Sequence, residues 1–311
     1  MGTDRLSRLR TATTKGLRRA RGLIGLERRH AQLENAYGAD IKRVWELLDG
    51  HEDRIARIEL QVRLATVMAW IDQATLAREP LVSVVIPTRD RAAILPRAIE
   101  SVLAQSYSNW ETLVCEDGDS EEVALVVDSF DDPRVRHLPA APAGVGTARN
   151  RGIDAAAGAL IAYLDDDNRM HRNWLKSIAW AFEQRPEAEV LYGAIVIDDT
   201  ARHHGEPGAE MPSAWLERYI PEAIVESNIA DTSAIAHRAG LRDARWDESL
   251  RTTADWELFL RLTADREPLT LPAIACFYYS DAADRLTNLG EQNRRDHSRI
   301  AERARTARGG R

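Results

Sequence analysis

The chain has 311 residues, of which 44% are hydrophobic, enough for one full core and an appendage. Its formal net charge of -7 argues against a surface built wholly to bind nucleic acid. The two cysteines, Cys115 and Cys276, each sit in apolar strand-like runs, which suits small reduced core residues better than a disulfide framework and sets the expectation of a cytoplasmic compartment.

The charge is unevenly spread. Residues 5–29 carry nine Arg or Lys against Glu27 alone, and the last 27 residues carry eight Arg against Glu291, Asp296 and Glu302. The cationic start suits peripheral contact with anionic lipid at the inner face of a membrane, and equally suits solubility. It lacks interleaved aromatics and any nucleic-acid motif, so no nucleic-acid partner is expected. No run approaches 18 consecutive apolar residues, so no membrane span is expected.

From residue 31 to 77 there is no proline and only Gly38 and Gly50, which predicts a long helical segment. Ile41, Val44, Leu48, Ile55, Ile58, Val62, Ala65 and Ala69 recur at alternating steps of three and four, the a and d sites of a heptad. This supports a coiled coil joining copies of the chain, a helical hairpin, or an amphipathic helix lying on its own domain. Residues 1–80 are thus read as a helical extension.

Glu79-Pro80 ends that helix, and "LVSVVIP" opens a domain expected over residues 81–285. Strand-like "ETLVCED", "VRHLP" and "ALIAYLD" then alternate with helix-like "AAILPRAIESVLAQS", "SEEVALVVDSF" and "TARNRGIDAAAG". That rhythm predicts an α/β fold, an open sheet with helices on both faces and functional residues at the strands' carboxyl ends. Residues 286–311 read as a basic tail, a frayed helix or disorder.

Acidic residues stand where that rule places a site: Asp90 after the first strand, Glu116 and Asp117 after the second, and Asp165, Asp166 and Asp167 after "LIAYL". Each alone is a common turn or cap residue, but together they converge on one crevice. A dinucleotide fingerprint is excluded at Gly144-x-Gly146, which lacks the third glycine and lies far from the domain's first strand. "DDTARHHGEPGAEMP", residues 198–212, is a polar loop suited to covering a site; its neighbouring His203 and His204 have no metal-ligand spacing. His237 follows a strand-like run and is a weaker candidate for the pocket.

In order, "VSVVIPTRDRAAILPRAIESVLAQSYSNWETLVCEDGDSEE", "GVGTARNRGIDAAAG", "LIAYLDDDN" and "DWELFLRL" resemble the motifs of the inverting family 2 glycosyltransferases with the GT-A fold. The likeness covers roughly residues 81–265. It implies a mixed GT-A sheet and transfer of a sugar from a nucleotide-diphosphate donor, UDP- or dTDP-linked, to a hydroxyl on a glycan, lipid-linked or small-molecule acceptor, with inversion.

The same resemblance implies roles for residues. Pro87, Thr88, Arg89 and Asp90 form the first nucleotide-binding turn, and Asp117 accepts the imide N–H of a pyrimidine. The family more often has Asp-Asp-Gly-Ser where this chain has Glu116-Asp117-Gly118-Asp119. Arg149 and Asn150 face the nucleotide. Asp165, Asp166 and Asp167 match the DxD element that meets the diphosphate across Mg²⁺ or Mn²⁺. Asp167 is the direct ligand, Asp165 touches the ribose or the metal, and Asp166 supports the turn. Asp255 takes the position of the catalytic base, with Trp256 and Glu257 toward the acceptor; the lesser alternative by local signals alone is that it simply caps its helix. The rival reading is a non-catalytic nucleotide- or glycan-binding scaffold organised by the N-terminal helix.

Overall fold

The structure is a computed structural model that describes residues 54–197, 213–279 and 290–309. Ile41, Val44, Leu48, His203 and His204 lie outside the described residues. The chain divides into two compact units, Met1–Glu59 and Leu60–Arg311, and the second holds the sheet. Among the described residues no helix is long and apolar enough to cross a membrane.

Helix α1 covers residues 54–73. Within the larger unit its Leu64, Met68 and Ile71 are buried, spaced by four and three so that they share one face. Full burial of each contributes about 1.5–3 kcal/mol. The domain therefore gathers in helical residues well before the expected start at 81. The chain leaving α1 is held by Glu183, whose Oε2 accepts the N–H groups of Ala77 and Arg78, both at 2.9 Å.

Among the described residues nine strands form one sheet in the order β3-β2-β1-β4-β8-β6-β9-β5, with β7 paired to β6. Strands β1 (Val82–Thr88), β2 (Trp110–Asp117), β3 (Val135–Ala140) and β4 (Leu160–Tyr163) run parallel. The direction reverses where β8 (Ile235–Arg238) pairs antiparallel with β4. β6 (Val190–Ile197) is antiparallel to β8 and to β7 (Ser213–Trp215) and parallel to β9 (Leu269–Tyr278). β9 ends the sheet by pairing antiparallel with the two-residue β5 (Arg169–Met170).

Period-two alternation sorts the sheet into two cores. Val82, Val84 and Ile86 face α2 (Leu95–Leu103), α3 (Glu121–Asp128), α5 (Trp174–Gln184) and α1, whereas Val85 faces α4 (Val145–Ala155) and α6 (Ala254–Leu262). α4 lies close against β1 and β2 because Gly152 has no side chain: a Cβ there would meet Val85 Cγ1 at 2.5 Å and Cys115 Sγ at 2.7 Å. Both cysteines are buried free thiols.

The basic C-terminus departs from the expected fraying. Residues Gly290–Gly309 form helix α7, and its Ile300 and Ala301 are buried in the core that holds α6. Few apolar residues suffice here because they share one side of an otherwise polar helix.

Candidate active site

The carboxyl ends of β1, β2 and β4 open on a cavity of about 990 Å³, within the range of small-molecule sites. Asp90, Asp117, Asp165, Asp166, Asp167 and Asp255 all line it, although they are spread over more than 160 positions of sequence. Pro87, Thr88, Arg89 and Arg149 line it too.

The β1 end turns sharply, with Asp90 in the left-handed region at φ 52°. Arg89 Nη1 stands 3.5 Å from Asp117 Oδ2. The other oxygen of Asp117 accepts the N–H groups of Ala143, at 2.5 Å, and Gly144, at 2.9 Å, so this carboxylate also braces the loop before α4. Gly144 permits that loop's φ of 105°, which a side chain would strain.

Glu116 is fully buried beside it. Its Oε2 pairs with His137 Nε2 at 2.7 Å and its Oε1 accepts Ser120 N–H at 2.9 Å. The extra methylene relative to aspartate carries the carboxylate out to these partners on β3 and at the start of α3.

Arginines face the three consecutive aspartates. Arg91 Nη1 bonds Asp166 Oδ1 at 2.9 Å and lies 3.6 Å from Asp167 Oδ2, while Arg149 Nη2 bonds Asp165 Oδ1 at 2.6 Å. Thr88 Oγ1 donates to Asp166 Oδ2 at 2.7 Å. Burial nevertheless pushes Asp166 up to about 6, outweighing Thr88 and Arg91. Its occupied oxygens make it the residue that holds the turn. Asp165 and Asp167 are less buried than Asp166 and line the cavity, and among the described residues no group of three or more His, Cys, Asp or Glu is arranged to hold a metal ion by itself, so a cation here would need phosphate and water oxygens to complete its shell.

Arg149 reaches the cavity from the first half of α4, its guanidinium stacked 4.2 Å from the Trp246 ring centroid. Its Nε has no hydrogen-bond partner among the described residues.

Asn150 departs from its expected role. It does not line the cavity: Nδ2 donates to Trp246 O at 3.0 Å and Glu248 Oε1 at 2.8 Å, and Oδ1 accepts Trp246 N–H at 2.8 Å. These bonds occupy the amide and fix the segment after residue 245 instead of leaving it for a nucleotide.

Asp255, in the first turn of α6, is part-buried. Its Oδ1 accepts Trp256 N–H at 2.9 Å and its Oδ2 accepts Asn228 Nδ2 at 3.1 Å. Burial raises its pKa, Asp165 adds to the rise, and Trp256 N–H, Arg149 and Asn228 oppose it.

Trp256 and Glu257 do not face an acceptor. Trp256 is fully buried, donates Nε1–H to Ile224 O at 2.7 Å and stacks on His297 at 4.4 Å, because α6 turns this face into the core. Glu257 is taken by Arg261 four residues on, at 2.7 Å. His237 is also a core residue, bonded to Tyr163 Oη and the Arg238 carbonyl, each at 2.8 Å.

Sequence reading passed over Asp231 and Asn228. Asp231 lines the cavity just before the 3-10 turn Thr232–Ala234, where its Oδ1 accepts Ser233 N–H at 2.8 Å. Burial raises its pKa, and the negative charges of Asp165 and Asp255 push in the same direction. Ser233 Oγ in turn accepts Asp165 N–H at 3.3 Å and Asn168 Nδ2 at 3.1 Å, joining this turn to the three aspartates. The only signal was a polar run, "ESNIADTS", ahead of a short apolar strand.

Comparison with known proteins places these features. The family model described as "Glycosyl transferase family 2" matches residues 83–246. A colanic acid biosynthesis glycosyl transferase described as putative, WcaA of Escherichia coli K12, is 27% identical over 61% of this chain and 68% of its own length. Glucosyl-dolichyl phosphate glucuronosyltransferase of Haloferax volcanii is 33% identical over 39% of this chain and 40% of its own. In structure, a fragment of S. aureus TarS in complex with UDP overlays with a TM-score of 0.54 at 16% identity, covering 72% of this chain and 64% of that one, a likeness of GT-A fold. The chain thus spans less than two thirds of the Haloferax protein and of the TarS fragment. With the family model matched over more than half of its residues, the chain belongs to glycosyl transferase family 2.

Proposed function

We propose that this family 2 enzyme moves a sugar from a UDP- or dTDP-linked donor to an acceptor hydroxyl, with inversion at the anomeric carbon. The observation that carries the reading is Asp255: a carboxylate of raised pKa that shares one cavity with Asp117, Arg149 and the three consecutive aspartates. Asp117 and Arg89 hold the pyrimidine end of the donor, Arg149 and Arg91 face its phosphates, and Asp165 and Asp167 hold a divalent cation. When bound, that Mg²⁺ or Mn²⁺ neutralises charge on the departing diphosphate.

Asp255 is suited to receive the acceptor's proton, because its raised pKa makes it a stronger base than a solvated aspartate. As the acceptor oxygen bonds to the anomeric carbon, its proton passes to Asp255. The bond from that carbon to the diphosphate breaks, and its electron pair leaves with the phosphate oxygen. The Trp256 N–H and the charge of Arg149 oppose that rise and so favour the ionised carboxylate.

The test is transfer from a panel of nucleotide sugars with and without EDTA. Transfer is expected to stop on chelation and to return with excess Mn²⁺; activity indifferent to EDTA removes the cation from the reading. Donor binding without any turnover across the panel favours a scaffold instead.

The N-terminal helix is read as joining two copies of the chain, with a glycan or a lipid-linked molecule as acceptor near anionic membrane. Support comes from α1, where Ile55, Ile58, Val62, Ala65 and Ala69 are exposed, all on the heptad positions and apart from the buried Leu64, Met68 and Ile71. Val62→Glu is expected to halve the mass measured by light scattering; an unchanged mass removes the coiled coil.

A further inference from the structure

Helix α7 stands outside the cavity, yet its contacts collect on the segment that forms one wall of it. That wall includes Glu248, Ser249, Thr252, Thr253 and Asp255. Arg303 pairs with Asp247 at 3.2 Å, Arg299 Nη2 donates to Ser249 Oγ at 3.0 Å, and His297 stacks on Trp256.

The central contact is a buried carboxylate. Asp296 is 3% exposed, and its Oδ2 accepts both Thr252 N–H, at 3.2 Å, and Thr252 Oγ1–H, at 2.9 Å. Its Oδ1 accepts Gln292 Nε2 at 2.9 Å. Burial alone would raise its pKa, but the bonds from Thr252 and Gln292 and the Arg251 N–H hold it below the usual carboxylate range. It stays an anion fastened to one residue of the wall.

The next residue explains why such a fastening is needed. Thr253 is held at φ 52°, the left-handed region, which is costly for a β-branched residue. It is also the N-cap of α6 and makes no side-chain capping bond. Strain of this kind persists only where the surroundings over-determine it. Asp255 follows two residues later, so the direction of its carboxylate depends on how Thr252 and Thr253 are held.

We propose that Asp296 is a positioning residue for the transfer reaction: α7 clamps Thr252 through it and thereby aims Asp255 at the acceptor hydroxyl. This rests on the reading of Asp255 as the base. Asp296 then serves the transfer step while touching neither donor nor acceptor, and the far end of α7 beyond it does not serve that step.

The experiment compares Asp296→Ala, Asp296→Asn, Thr252→Val and Arg305→Ala in the full chain. Arg305 belongs to α7 and pairs with Glu226 at 2.8 Å, away from Thr252, so its variant reports on helix docking alone. Asp296→Ala is expected to lower kcat on the order of 10²-fold, the effect of a small misplacement of a reacting group, with donor affinity unchanged. Asp296→Asn keeps one acceptor oxygen and should recover part of the loss. Thr252→Val, which keeps the backbone donor, should fall less, and Arg305→Ala should retain the parent kcat.

In an Asp255→Asn background the effect of Asp296→Ala should vanish, because there is no base left to aim. The proposal is overturned if Asp255→Asn is inactive while Asp296→Ala keeps full kcat, or if Arg305→Ala and Asp296→Ala lose activity equally. A fully active Asp255→Asn instead overturns the reading of the base itself. Should Asp296→Ala fail to fold, parent-like kcat in both Asp296→Asn and Thr252→Val overturns the proposal.

Discussion

Asp255→Asn is expected to lower kcat by about 10²–10⁴-fold, the range for loss of a general base, with donor affinity close to the parent's. The change is nearly isosteric, so the replacement should leave the first turn of α6 intact. Asp117 and Arg89, which the proposal assigns to the nucleotide, stand on β2 and after β1, in different elements from Asp255. Steady-state kinetics beside nucleotide titration make the comparison, and a variant with parent-like turnover ends the assignment.

The pH profile carries the same prediction in a second form. As the proposed base Asp255 would act deprotonated, and its pKa is raised by burial with Asp165 adding to the effect, so activity should fall as pH drops through a value above the ordinary aspartate pKa of about 4. Arg149, Asn228 and the Trp256 N–H limit the rise. An acid limb of kcat/KM at the ordinary aspartate value, in an otherwise active enzyme, would count against Asp255 as the group that titrates.

Trp256→Ala is expected to destabilise the folded protein by about 3–5 kcal/mol, read from urea unfolding. The indole fills core between α6, the turn at Ile224 and His297 of α7. Trp256→Phe keeps most of that volume and loses the hydrogen bond to Ile224 O, for which about 1 kcal/mol is expected. If both variants unfold at the parent's midpoint while acceptor affinity drops, Trp256 faces the acceptor and its burial is misjudged.

Strands β1, β2 and β4 were legible because each carries a short, near-continuous apolar run closed by acidic or turn residues, the pattern of parallel strands buried on both faces. The aspartates were found because the sheet rule places function at those strand ends. Asn150 was misread because its partner, Trp246, lies 96 residues away, and no local pattern reports such a contact. Asp231 went unnoticed since its neighbours carry no periodicity and its role depends on β8 pairing antiparallel with β4.

The two terminal helices were harder still. In α1 the heptad of exposed residues masked the second apolar face, Leu64, Met68 and Ile71, which a search for one periodic stripe does not separate. In α7 the many arginines lowered the apparent value of Ile300 and Ala301, which are buried in the core beside the polar contacts of Asp296.

The tight seat of α4 at Gly152 limits how the enzyme adapts to what it binds. With Val85 and Cys115 packed where a side chain would stand, the helix can neither roll nor slide as a rigid body without opening a gap in the core. Adaptation to a different donor is therefore expected in the turns around the cavity and not in the seat of α4.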